Sequence, residues 1–227
     1  MHAKRIAGEK ATDFVESGMV VGLGTGTTVY WTIKRLGEMI KKDNFHIKVI
    51  CTSIETEVLA SKFGLDITSF GEVNSIDLTI DGADEINQNL HIIKGGGGAL
   101  FREKIVASSS KFNITVVDES KSVSVLGKFP LPVEVLSFGW EVTSKKINDL
   151  GTVSVRREGL NGKPFITDNG NYILDCHFGE INDPRFLHKN LKMITGVIET
   201  GLFFDTTNIA LIGNPSGSVK VISNTIS

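Results

Sequence analysis

Apolar residues Ile6, Ala7, Ala11, Phe14 and Val15 recur at helical spacing, and Ser17-Gly18 supplies the stop. Met19-Val20-Val21 then reads as a short strand running into a glycine-rich turn, and Val29 to Leu36 continues as a helix. The cycle repeats with strand Ile47 to Cys51, helix Glu55 to Phe63 closed by Gly64, strand Ile76 to Ile80, helix Ala99 to Ser109 and strand Ile114 to Val117. Strands rich in β-branched residues that alternate with helices predict right-handed crossovers and a mostly parallel, Rossmann-like α/β sheet flanked by helices. A ligand of such a sheet belongs at the carboxyl ends of the strands.

The rhythm changes at Lys128-Phe129-Pro130-Leu131-Pro132, where two prolines break the periodicity. Beyond them come a strand at Val133 to Leu136, a helix from Trp140 to Leu150 and two short strands separated by Asp168-Asn169-Gly170-Asn171. A helix near Pro184 to Met193 and a strand at Val197-Ile198 follow. The Asn-Gly between Thr167 and Tyr172 is a hairpin signal. This β-α-β-β-α-β order predicts a smaller α+β, ferredoxin-like domain. Asn208 to Ile212 and Val219 to Ile222 read as strands that rejoin the first sheet. The expected division is an α/β catalytic domain of residues 1–129 plus 204–227 and a smaller domain of residues 130–203.

Composition narrows the partners. The 24 Lys and Arg against 26 Asp and Glu leave a formal charge of -2, so no global field recommends nucleic acid or an anionic membrane, and any anion must be held locally. Cys51 and Cys176 lie far apart in strand-like runs, which points to two buried thiols in a reducing compartment. The stretch from Met1 to Ile6 has no signal-peptide character, and nowhere do about 18 apolar residues run together. A soluble, cytoplasmic protein is expected.

Three constellations carry candidate chemistry. Gly22-Leu23-Gly24-Thr25-Gly26-Thr27-Thr28 lies between a strand and a helix, where free backbone N–H groups and the helix dipole favour an anion. The dinucleotide spacing G-x-G-x-x-G fails, because its third position is Thr27 or Val29, and no Gly-Lys-Ser/Thr follows to make a P-loop. Phosphate binding and a structural turn both stay open. Asp81-Gly82-Ala83-Asp84-Glu85 ends an apolar strand, and three acids that converge in a cleft raise one another's pKa. An acidic turn is the plain alternative, and no His or Cys lies close enough to suggest a transition metal. Lys94-Gly95-Gly96-Gly97-Gly98 reads as a second tight loop with Lys94 at its entry. Glu103, one helical turn past Ala99, can look back over it or belong to a solvated Arg102-Glu103-Lys104 stripe. Lys121 alone reads as a surface lysine.

Taken together, these segments resemble the A-type ribose-5-phosphate isomerases. The likeness rests on Gly24 to Thr28, Asp81 to Ile86, Lys94 to Lys104, Leu126 to Val135, Thr167 to Asn171, Gly201-Leu202-Phe203 and Ala210 to Gly213, which span almost the whole chain in order. Gly98 departs from the family pattern, where alanine is frequent. The resemblance implies interconversion of D-ribose 5-phosphate and D-ribulose 5-phosphate through an enediol(ate), in the non-oxidative branch of the pentose phosphate pathway, without metal or organic cofactor. It also implies a homodimer or a dimer of dimers. Carried over by position, Thr25, Gly26, Thr27, Thr28, Asp81, Gly82, Ala83, Asp84, Lys94, Gly95, Gly96, Gly97 and Lys121 would bind the phosphorylated pentose. Glu103 would be the proton acceptor, assisted by Asp81, Asp84 and Lys94. Two other readings compete with it. A sugar-phosphate sensor would need a DNA-reading module, for which the residues before Met19 are too few; a CoA transferase would form a covalent thioester on its glutamate.

Overall fold

The computed structural model describes residues 1–42 and 45–223. Its strands are β1 (Val20–Leu23), β2 (Lys48–Cys51), β3 (Asp66–Ile67), β4 (Ile76–Gly82), β5 (Glu85–Ile86), β6 (Ile92–Ile93), β7 (Ser110–Asp118), β8 (Leu131–Val135), β9 (Ser154–Arg156), β10 (Tyr172–Cys176), β11 (Val197–Thr200), β12 (Leu202–Phe203), β13 (Ile209–Gly213) and β14 (Val219–Ser223). The α-helices are α1 (His2–Ala11), α2 (Val29–Lys42), α3 (Ile54–Lys62), α4 (Leu100–Ser108), α5 (Trp140–Asn148) and α6 (Pro184–Lys192).

The large sheet runs β14-β13-β7-β4-β1-β2-β3 and is parallel except for β14, which pairs antiparallel with β13. Its inner strands are apolar because helices cover them. Val21, Leu23, Val49, Ile80, Ile114, Val116 and Leu211 share one core with Ala7 and Ala11 of α1 and Val29, Ile33 and Leu36 of α2. Each fully buried Val, Leu or Ile contributes roughly 1.5–3 kcal/mol of transfer free energy. Helix α2 outruns its predicted end at Leu36 because Met39 and Ile40 prolong the apolar stripe, and Lys41 and Lys42 then meet the negative end of the helix dipole.

The second sheet runs β11-β8-β10-β9 with every pair antiparallel. Strand β10 thus lies between β8 and β9, the split arrangement predicted from element order. Ile147 of α5 and Leu191 of α6 seal it against Val133, Val135, Leu174 and Cys176. The predicted hairpin is only half right. The tight turn forms, since the Gly170 N–H donates to Thr167 O at 2.9 Å and the Thr167 N–H to Asn171 O at 2.9 Å. No ladder strand precedes it, because Pro164 lacks an N–H and Leu160–Gly162 coils into a 3-10 turn, so the partner of β10 is the earlier β9.

A third sheet, β12-β6-β5, is antiparallel and was not anticipated, because two-residue strands carry no periodicity. It joins the two halves. Lys94 N–H donates to Gly201 O at 2.9 Å, and Gly201 N–H donates to Pro132 O at 2.7 Å. Both cysteines are free; burial pushes the Cys51 thiol up to about 12 and the Cys176 thiol upward too, so neither offers a thiolate. No helix among the described residues is long and apolar enough to cross a membrane.

Candidate active site

The turn after β1 is glycine-rich because the backbone comes close to its neighbours. A Cβ on Gly24 would sit 1.8 Å from Asp81 Oδ1, and Gly26 holds φ at +119°. The first turn of α2 closes with Tyr30 N–H donating to Gly26 O at 3.0 Å, which leaves the amides just before it without intrahelical acceptors. The Thr25 hydroxyl turns away from the cleft. It bonds Thr52 Oγ1 at 2.9 Å and Ser53 Oγ at 2.8 Å, tying the turn to the start of α3. Thr27 faces outward, and Lys4 of α1 donates to its Oγ1 at 3.0 Å.

At the carboxyl end of β4 the three acids diverge. Asp81 Oδ1 accepts from Gly82 N–H at 2.7 Å, and Asp84 Oδ2 accepts from Gly96 N–H at 2.7 Å. Glu85 does not converge with them. Its buried carboxylate accepts from Gly127 N–H at 2.7 Å and Phe129 N–H at 2.6 Å, so it clamps the chain before β8.

Glu103 lies in the first turn of α4 and is buried rather than part of a solvated stripe. The Lys94 ammonium lies 3.3 Å from Glu103 Oε1 and 2.9 Å from Asp81 Oδ2, and it also donates to Gly82 O. Asp81, Lys94 and Glu103 are respectively 7%, 4% and 4% exposed, so this triad is shielded from bulk water and its interactions are strong. Among the described residues Glu103 Oε2 has no hydrogen-bond partner, which leaves a carboxylate oxygen able to take a proton.

Electrostatics follow from that burial. Burial first, and then the Asp81 charge, raise the Glu103 carboxyl to about 8 despite the opposing Lys94 ammonium. Burial likewise raises Asp81. Burial would lower Lys94, but the Asp81 and Glu103 carboxylates outweigh it and the net shift is upward. Lys94 therefore stays cationic, and each carboxyl gives up its proton less readily than an exposed one would.

These groups face a cleft of about 170 Å³ at the strand ends. Thr25, Gly26, Thr27, Thr28, Gly82, Ala83, Asp84, Lys94, Gly95, Gly96, Gly97, Glu103 and Lys121 all line it, whereas Asp81 stands behind Lys94. Lys4 also lines it and was missed, because a lysine in an N-terminal helix gives no local signal. A larger hollow of about 510 Å³, walled by Tyr30, Trp31, Val58 and Leu59, lacks such a convergence of buried charged groups, so the smaller cleft is the better candidate. Among the described residues no group of three or more His, Cys, Asp or Glu is arranged to hold a metal ion.

The family model for ribose 5-phosphate isomerase A (phosphoriboisomerase A) matches residues 48–217. Ribose-5-phosphate isomerase A of Bacillus mycoides (strain KBAB4) is 54% identical over 218 residues, covering 96% of this chain and 98% of that protein. Ribose 5-phosphate isomerase from Plasmodium falciparum superimposes with a TM-score of 0.95 at 41% identity, over 99% of this chain and 100% of that one. A D-ribose-5-phosphate isomerase solved in complex with phospho-erythronic acid gives a TM-score of 0.94 at 39% identity, over 98% of each chain. With the buried triad at the strand ends and matches over nearly the whole length, the chain belongs to the ribose 5-phosphate isomerase A family of aldose-ketose isomerases.

Proposed function

We propose that this chain interconverts D-ribose 5-phosphate and D-ribulose 5-phosphate through an enediolate, with Glu103 carrying the proton between C2 and C1. The observation that carries the reading is the buried Glu103 carboxylate, with one oxygen beside Lys94 and the other unpartnered, on the wall of a cleft at the strand ends. The phosphate is assigned to the free amides at Thr27 and Thr28, between the Lys4 and Lys121 ammonium groups. That anchorage sets C1 and C2 under Glu103. Ionised Glu103 takes the C2 proton of the open-chain aldose and returns it to C1, while the O2 hydroxyl proton passes to O1 by way of Asp84, which lines the cleft. Charge that grows on the oxygens meets Lys94 and the amides of the glycine loop. No metal or organic cofactor is proposed.

The assay is direct: purified chain mixed with ribose 5-phosphate should yield the ketose, and absence of ketose would refute the activity. Because Glu103 must be ionised and its pKa lies near 8, kcat/KM should fall as the pH drops below that value, approaching tenfold per unit. A profile that is flat between pH 6 and 9 would contradict Glu103 as base. Lys4→Ala and Lys121→Ala should each weaken the KM for ribose 5-phosphate by about tenfold or more, the worth of a charge-assisted hydrogen bond. Their activity toward free ribose should not change. An equal loss on both sugars would remove these lysines from the phosphate.

The proposed domain division is residues 1–129 plus 204–227 against 130–203; it is supported by the membership of the seven- and four-stranded sheets, and residues 224–227 lie outside the described residues. A cytoplasmic location and assembly as a homodimer or dimer of dimers belong to the same proposal, the location resting on the sequence reading and the assembly on the family resemblance.

A further inference from the structure

We propose that Arg157 is a positioning residue for the isomerisation, holding the Gly95 and Gly96 carbonyls so that the Gly97 N–H faces the enediolate oxygens. The inference rests on the reaction proposed above and assigns work to the four-stranded sheet, which otherwise contributes little to the cleft.

Arg157 follows β9, and its own N–H donates to Ile173 O of β10 at 2.8 Å. Asp175 of β10 orients the guanidinium from two sides, accepting from Nε at 2.9 Å and from Nη2 at 2.5 Å. That fork leaves Nη1 free to reach across to the large domain, where it donates to Gly95 O at 2.7 Å and Gly96 O at 3.1 Å. The Phe165 ring lies 5.8 Å from the guanidinium and packs so close to Gly98 that a Cβ there would sit 2.4 Å from it. Glycine at 98 makes room for this arm.

Peptide geometry gives the consequence. In a trans peptide the carbonyl and the following N–H point in opposite directions, and no described peptide is cis. The Gly95–Gly96 unit shows this: its carbonyl meets Arg157 while its N–H meets Asp84 Oδ2 at 2.7 Å. The Gly96–Gly97 unit is held by Arg157 in the same way, so the Gly97 N–H points to the opposite side, where Gly96, Gly97, Lys94 and Glu103 wall the cleft. Four consecutive glycines have no preferred conformation of their own, and an external clamp supplies the order that the loop's composition withholds.

The test compares wild type with Arg157→Met, Arg157→Lys and Asp175→Asn, by kinetics, by calorimetry with phospho-erythronic acid and with inorganic phosphate, and by thermal melting. The acid's carboxylate stands in for the enediolate oxygens. In Arg157→Met, kcat should fall by roughly 10²-fold, the scale of losing one preorganised oxyanion donor, with KM within about threefold. Affinity for the acid should fall by the same factor as kcat/KM while that for inorganic phosphate holds. Arg157→Lys, which can still reach one carbonyl, and Asp175→Asn, which loosens the guanidinium, should lie between wild type and Arg157→Met on the same line. A folded Arg157→Met with normal kcat would overturn the proposal, as would loss of phosphate affinity and melting temperature in step with kcat, the signature of a mere domain tie. If wild type itself failed to isomerise ribose 5-phosphate, the activity would fall, while the calorimetry would still report whether Arg157 orders the loop.

Discussion

Glu103→Gln is expected to lower kcat by about 10³- to 10⁴-fold, the upper range for loss of a positioned general base, with the dissociation constant for substrate changed only a few-fold. The amide keeps the volume and the place beside Lys94 but cannot accept the C2 proton. The same variant has a second signature. Glu103 is raised from its ordinary 4.5 to about 8, so between these values the folded chain binds a proton that the unfolded chain has released. The stability that this adds is complete below the ordinary carboxylate pKa and is lost as pH rises through about 8. Glutamine does not titrate, so Glu103→Gln should gain stability relative to wild type between pH 5 and pH 9. Melting curves across that range check this, and a difference that does not change with pH would deny that Glu103 is buried as a titrating carboxyl.

Lys94→Met should be the most destructive single change. It removes the one cation between two buried carboxyls, and breaking a buried ion pair from one side costs about 3–5 kcal/mol unless the orphaned groups take up protons. Both responses harm catalysis: either the loop loosens or Glu103 is held protonated. Denaturant unfolding should show the lost stability at pH 8 and a smaller loss at pH 5, and kcat should fall by at least about 10²-fold. Because Lys94 sits beside Glu103 rather than beside Lys4, affinity for inorganic phosphate should survive in the folded fraction. Undiminished stability at pH 8 would contradict the ion-paired arrangement.

What local sequence conveys and what it hides divide along a physical line. The alternation of strands and helices up to Ser109 was legible because each helix presents an apolar stripe to a sheet buried on both faces. The ends of β1, β4 and β6 were legible as site positions because glycines and acids there interrupt apolar runs. The roles of single side chains were not. Asp81, Asp84 and Glu85 look alike in sequence, yet only tertiary packing sends Glu85 toward Gly127 and Phe129 and leaves the other two near Lys94 and the glycine loop. Thr25 and Thr27 are equally alike, and only the hydroxyls of Thr52 and Ser53 draw the first away. Lys4 and Arg157 arrive from distant segments, and no local pattern foretells a contact of that range. The first strand of the hairpin failed for a residue that was visible, Pro164, whose missing N–H outweighed the turn signal.

The central claim is that one buried carboxylate, that of residue 103, moves hydrogen between adjacent carbons. The measurement closest to it is NMR of ribose 5-phosphate carrying deuterium at C2, incubated in ordinary water with wild type and with Glu103→Gln, following deuterium at C1 of the ketose. Wild type should carry deuterium there and the variant should carry almost none. Transfer by the variant at the wild-type rate would assign the proton transfer to another group and contradict the account.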